Sequence, residues 1–149
     1  MNLSSEKAQR LLETADRVRP APAVSEAVAR LAREITAQLA GAFPLVLCVM
    51  RGSVVFAGQL LLRLRFPLEF DYLDITRYGT ATQGGEIAWK VTPGSNVAGR
   101  VVLVLDDILD EGRTLASIRD KVLGAGASRF YSVVLAEKDT GKQIGRAHV

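Results

Sequence analysis

The chain has 149 residues, 48% of them hydrophobic and 23% charged, a balance that fits one globular domain and excludes disorder, collagen and coiled coil. Nineteen basic against sixteen acidic residues leave a net charge of +3, an excess that suits a small anionic substrate as well as nucleic acid and decides between neither. No stretch approaches the roughly 18 apolar residues of a membrane span, and the polar start, Met1 to Arg10, has no apolar signal region after it, so a soluble, cytoplasmic protein without a membrane partner is expected.

From Ser4 to Arg19 the apolar residues Leu11, Leu12, Ala15 and Val18 recur at spacings of three and four, which predicts an amphipathic packing helix capped by Ser4 or Ser5. Pro20 and Pro22 break it, Ser25 offers a second cap, and Val28, Leu31, Ala32, Ile35 and Leu39 form the stripe of a second helix ending at Gly41. Leu45 to Met50 is a continuous apolar run, the pattern of a strand covered on both faces. Cys48, the one cysteine, lies inside it and reads as a reduced core residue. The turn Arg51-Gly52-Ser53 follows, then a helix over Val54 to Leu64 with Val55, Leu61, Leu62 and Phe56 inward, then a strand over Leu68 to Thr76 that carries Asp71 and Asp74 toward solvent at a sheet edge. Tyr78 to Gly85 is small, polar and Gly-rich, a mobile hairpin loop, and Glu86 to Val91 returns from it as a partner strand. Arg100 to Leu105 is a second buried strand, Asp106 to Arg113 a polar loop, Thr114 to Leu123 a helix closed by Gly124 and Gly126, and Phe130 to Ala136 a third buried strand. Buried strands alternating with helices predict an α/β fold, a central parallel sheet flanked by helices.

Ligands of such sheets sit outside the carboxyl ends of the strands, where loops are free and helix N-termini point their N–H groups into one crevice. Val101 to Thr114 delivers three aspartates from an apolar strand, then Gly112 and Thr114 at a helix start. Carboxylates this close are tolerable when solvated, or when they face hydroxyl donors and a hard cation such as Mg²⁺. The second half of the loop is an anion cradle suited to a phosphate monoester. An acidic wall beside a phosphate cradle implies a ligand with both a diol and a phosphate, and a ribose 5-phosphate fits. The plainer alternative is a solvated loop with an Asp-rich helix cap.

The stretch Val101 to Thr114 resembles the phosphoribosyl pyrophosphate signature of the type I phosphoribosyltransferases. Cys-Val-Met-Arg-Gly-Ser after the first strand, Asp-Tyr-Leu-Asp-Ile-Thr-Arg-Tyr before the loop and Glu-Ile-Ala-Trp-Lys after it narrow the likeness to the hypoxanthine-guanine branch. The resemblance runs from about Leu11 to Lys138. It implies that Asp106 and Asp107 bind the ribose hydroxyls, directly or through Mg²⁺, that Asp110 acts as the catalytic proton acceptor or donor at the purine N7, and that Glu111, Gly112, Arg113 and Thr114 hold the 5-phosphate. Arg51 and Gly52 match the pyrophosphate loop, with a cis peptide expected between Met50 and Arg51. Arg77 and Tyr78 open the loop that closes over the reacting centre, and Lys138 contacts the exocyclic oxygen of the purine. Taken singly, Arg51 and Lys138 read rather as surface residues at strand ends, and Tyr78 can be a packing residue.

The implied activity is purine salvage: transfer of the 5-phosphoribosyl group from phosphoribosyl pyrophosphate to hypoxanthine or guanine, by a homo-oligomer, dimer or tetramer, with no nucleic-acid partner. Two other classes carry part of the pattern. A non-catalytic regulator on the same fold that binds RNA needs a basic face, and the basic residues here are dispersed. A Mg²⁺-carboxylate receiver domain needs a phosphoacceptor aspartate at the end of a middle strand, and none is placed there. The family continues past its lysine with a further strand, a residue that stacks on the purine and a late aspartate, none of which is expected here. Residues 1–142 therefore read as a single domain incomplete at its C-terminus. Gln143 to Val149, one coding of which (CAG ATC GGA AGA GCA CAC GTC) contains a common sequencing adapter, read as a non-native tail outside the fold, which leaves His148 without a role.

Overall fold

The structure is a computed structural model that describes residues 2–77, 87–91, 95–109, 112–137 and 144–148. In chain order the elements are α1 (Ser5–Thr14), α2 (Ala21–Leu39), β1 (Leu45–Met50), α3 (Val54–Leu61), β2 (Glu69–Arg77), β3 (Ile87–Val91), β4 (Val101–Leu109), α4 (Arg113–Gly124), β5 (Arg129–Glu137) and β6 (Ile144–His148). They form one sheet in the order β3-β2-β1-β4-β5-β6. The four inner strands are parallel, and β3 and β6 run antiparallel at the edges. The expected parallel sheet flanked by helices is what forms.

The unbroken apolar run of β1 has the predicted cause. Val46 and Cys48 enter the core under α2 and α3, while Leu45, Leu47 and Val49 enter the core under α4. Such a strand has no wet face and so no alternation. Cys48 is fully buried, and that burial, with Asp106 and Asp107 nearby, pushes its thiol up to about 11. This is an inert core residue.

The helices hold several departures from the sequence reading. The stripe of α2 is buried as expected, with Ala27 added, but the helix starts at Ala21, with Pro22 in its first turn and no cap from Ser25. Proline is tolerated there because the first N–H groups of a helix have no intrahelical partner to lose. In α3 the inward residues are Phe56, Ala57 and Leu60, whereas Val55 and Leu62 are exposed. The helix has one polar residue, Gln59, in eight, so its pattern could not fix the phase. α1 is capped by Ser4, as read, but ends at Thr14 and buries none of its residues: Leu11 and Leu12 are 54% and 73% exposed. Amphipathic spacing shows that a helix has an apolar face, not that a partner for it exists within the chain.

Two strands also differ. β2 is not an edge strand, since β3 lies outside it, and Asp71 is not simply solvated: its carboxylate accepts from the Tyr72 N–H at 2.8 Å and the Ser95 N–H at 2.9 Å, tying down the start of the segment that leads to β4. The tail read as lying outside the fold is paired: Ile144–His148 runs as β6 against β5, from Ala136 opposite Ile144 to Ser132 opposite His148. Edge pairing uses N–H and C=O groups that every such residue carries, so a polar tail joins a sheet without showing an apolar strand pattern.

Candidate active site

β1 and β4 are parallel neighbours, so the turn that leaves the end of β1 and the acidic end of β4 emerge at the same edge of the sheet. They touch. A Cβ placed on Gly52 would stand 2.7 Å from Oδ2 of Asp107 and 3.1 Å from its Cγ, so a side chain at this position would push the carboxylate aside, and glycine lets the turn lie against it. The peptide between Met50 and Arg51 is cis, as expected. Arg51 is exposed.

β4 runs farther than the sequence suggested. Asp106, Asp107, Ile108 and Leu109 belong to the strand, whose pairing with β5 ends at Leu109 opposite Glu137. The residues read as the start of a loop are therefore held by a ladder, which fixes the two carboxylates more rigidly than a loop would. Asp106 turns inward and is 9% exposed. Its Oδ1 accepts from the Asp107 N–H at 2.9 Å and from the hydroxyl of fully buried Ser53 at 3.3 Å. Burial, and next the adjoining Asp107 carboxyl, push Asp106 up to about 7, against the smaller opposing effect of its hydrogen bonds to the Asp107 N–H and Ser53. Asp107 is half-buried, with Oδ1 accepting from the Ile108 N–H at 2.9 Å and Oδ2 beside Gly52.

The opposite polarity begins at Gly112. Its φ of +76° is left-handed, which suits glycine and strains other residues. It is the N-cap of α4, and the helical ladder starts where the Ala116 N–H donates to the Gly112 carbonyl at 2.9 Å. Arg113 and Thr114 occupy the first turn, at the end of the helix that favours anions. A Cβ on Gly112 would lie 3.7 Å from Cδ1 of Leu109, so this helix start folds back onto the end of β4, next to the acidic pair.

The structure thus sets the Arg51-Gly52 turn against Asp107, and the start of α4, with Gly112, Arg113 and Thr114, just past the end of β4 that carries Asp106 and Asp107. Arg77 closes β2 at the same edge. Tyr78, Asp110, Glu111 and Lys138 lie outside the described residues. Ser53 was missed as a site residue. A serine before a helix reads as a cap, yet this one makes no capping bond and gives its hydroxyl to Asp106, 53 positions away. Among the described residues no group of three or more His, Cys, Asp and Glu side chains could hold a metal ion. Asp106 and Asp107 supply hard oxygens from two carboxylates, a set that fits a hydrated divalent cation completed by oxygens of a ligand.

A family model described as a phosphoribosyl transferase domain matches residues 14–149. Among curated proteins, the bifunctional protein TilS/HprT of Listeria innocua is 35% identical over 122 residues, covering 81% of this chain and 19% of that protein. The hypoxanthine-guanine phosphoribosyltransferase of Streptococcus thermophilus is 32% identical over 115 residues, 76% of this chain and 64% of that one. The chain therefore spans less than two thirds of either relative. Among solved structures, a hypoxanthine-guanine phosphoribosyltransferase from Bacillus anthracis has a TM-score of 0.78 at 26% identity, with 87% of this chain and 77% of that one covered. No helix among the described residues is long and apolar enough to cross a membrane. A carboxyl-edge acidic pair beside a glycine-capped helix N-terminus, together with a family match over most of its length, shows that the chain belongs to the phosphoribosyl transferase domain family.

Proposed function

We propose that the chain transfers the 5-phosphoribosyl group from phosphoribosyl pyrophosphate to hypoxanthine or guanine, giving IMP or GMP and pyrophosphate. One observation carries this reading: the contact of the Arg51-Gly52 turn with Asp107. A donor with its ribose at the Asp106–Asp107 pair has its pyrophosphate arm at the Arg51 turn and its 5-phosphate at the start of α4. The relatives named hypoxanthine-guanine phosphoribosyltransferase support the choice of base.

In the reaction C1 of the ribose becomes positive as pyrophosphate departs. Arg51 stands where the leaving group gathers charge and stabilises it electrostatically, an effect worth several kcal/mol in a preorganised site. Gly112 to Thr114 hold the 5-phosphate and so fix the ribose. Asp107, with the less exposed Asp106, fixes the diol and would hold Mg²⁺ when that ion is bound; the ion would neutralise pyrophosphate charge. Asp110 takes or returns the proton at the purine N7, a contribution of about 10²- to 10⁴-fold. Tyr78 and its loop exclude water, and Lys138 reads the exocyclic oxygen of the base.

A nucleotide-formation assay with both bases tests the reading. Asp110→Asn lowers turnover at least tenfold with little loss of donor affinity, because its carboxylate acts on the base. Asp107→Ala weakens donor binding instead. Equal losses of both quantities in the Asp110 variant would make Asp110 a binding residue.

We also propose that the native domain is residues 1–142, that Gln143 to Val149 are not native to it although Ile144–His148 pairs with β5 as an edge strand, and that the protein is a cytoplasmic homo-oligomer. The continuation of the reading frame in the parent genome tests the tail, and sedimentation velocity tests the oligomer.

A further inference from the structure

On the face of the sheet that α3 covers, apolar side chains stay open beside the helix. Val46 and Cys48 of β1 lie in the core under α2 and α3, and their partners across the ladder are Phe70 and Tyr72 of β2. Residues paired in a ladder point to the same face, yet Phe70 and Tyr72 are 47% and 42% exposed. The placement of the helices is the cause. α2 packs toward β5 and β6, while α3 sits over β1 and β4, and Gln59 of α3 faces α2 across a cavity. With Phe56, Ala57 and Leu60 turned to the core, the flank of α3 beside β2 is the one that carries Val54 and Gly58. Val55 and Leu62, 68% and 82% exposed, form the crest of the helix.

Charge and backbone shape both point to what covers this surface. α3 carries no charged residue, so two copies of the helix meet without like-charge repulsion. Charges flank the patch at opposite ends: Arg65 follows the end of α3, and Asp74 lies on the Phe70 face of β2, opposite Met50 where β1 ends. A two-fold pairing sets the Arg65 end of each copy beside the Asp74 end of the other. Gly58 supplies the shape. Glycine weakens a helix interior, and a Cβ here would meet nothing within 4 Å beyond its own helix, so packing inside the chain does not require it. It leaves a notch in the row Val54, Gly58 and Leu62, one of the i, i+4 ridges by which helices pack, and lets a second backbone come close. The open side chains of Val54, Val55, Leu62, Phe70 and Tyr72 amount to roughly 500 Å², toward the upper end of what a monomer leaves in one patch. Covering that patch in two copies removes about 1,000 Å² from water, enough for a specific interface. We propose that α3 and the adjoining face of β2 are where a second copy of this chain docks, about a two-fold axis that passes near Gly58. This surface rests on the homo-oligomer proposed above and on no assignment of substrate.

Sedimentation velocity of the full chain over a series of concentrations tests the surface. The expected result is a reversible equilibrium between one copy and two. Val55→Glu and Gly58→Leu each raise the dissociation constant at least tenfold, with an unchanged far-ultraviolet circular dichroism spectrum, since both positions are exposed in the single copy. Gly58→Leu discriminates most sharply: it adds apolar surface, so it strengthens indiscriminate association and weakens only a close helix crossing. Leu12→Glu, on the exposed face of α1, leaves the pairing unchanged. The proposal is overturned if folded Gly58→Leu or Val55→Glu pairs as tightly as the unsubstituted chain, or if Leu12→Glu dissociates the pair, which would place α1 at the interface. Pairing that survives the α3 substitutions leaves the homo-oligomer standing with another interface, whereas a single copy at every concentration removes both the surface and the oligomer.

Discussion

Asp106 is held in two ways that oppose each other. The strand carries it into the sheet edge, where burial favours its neutral form, while Ser53 and the Asp107 N–H favour its anion. The net effect raises it from the ordinary 3.8 to about 7, so between those values the folded chain holds a proton that the unfolded chain has released. Stability from this group is complete below the unfolded value and is lost as the pH rises through 7, by as much as ~4 kcal/mol. Metal-free protein in chelator should therefore melt at progressively lower temperature from pH 4.5 to 8, Asp106→Asn should flatten that slope, and Ser53→Ala should move its midpoint upward. A flat profile for the unsubstituted chain would show that Asp106 is ionised throughout. The aspartates were legible as a cluster because their spacing after an apolar run is local. Ser53 was not, because its partner is set by which strands are neighbours.

Among the elements, β1 and α2 were readable for one reason: each has a face, or a pair of faces, fully committed to the core. α3 was readable as a helix but not in phase, since an almost wholly apolar helix offers its pattern equally to either side. α1 was readable in form only. With no buried residue, it adds little to stability, so removing residues 2–14 should change the melting temperature by no more than about 2 °C, corresponding to less than ~0.5 kcal/mol in a domain of this size; a large drop in a thermal melt would mean that α1 packs on the domain. α4 makes the reverse case, because its N-cap matters more than its length. Gly112→Ala, forced to a φ of +76°, should cost ~1–2 kcal/mol of stability and weaken donor binding together, as read by thermal melts and calorimetry. Loss of stability alone would put the 5-phosphate elsewhere.

At the scale of the molecule, the strand order does the work. Because β1 and β4 are adjacent and parallel, segments about 55 positions apart meet at one edge without any long connection. At the other end of the same strands Arg100 ties the sheet together: its guanidinium donates to Glu69 Oε1 at 2.9 Å and to the Phe43 carbonyl at 3.0 Å, and lies 5.1 Å from the centre of the Phe43 ring. The parallel architecture was legible from alternating elements, whereas β6 was not, since its pairing rests on backbone groups and not on an apolar pattern. The central claim is that the Arg51-Gly52 turn and the Asp106–Asp107 pair form one donor site. Titration calorimetry of phosphoribosyl pyrophosphate with Mg²⁺ tests it most directly. The account predicts saturable one-to-one binding that Gly52→Ala weakens at least tenfold, since its methyl group would displace the Asp107 carboxylate, with thermal melts showing the variant folded. Binding unchanged in folded Gly52→Ala, or absent from the unsubstituted chain, would contradict it.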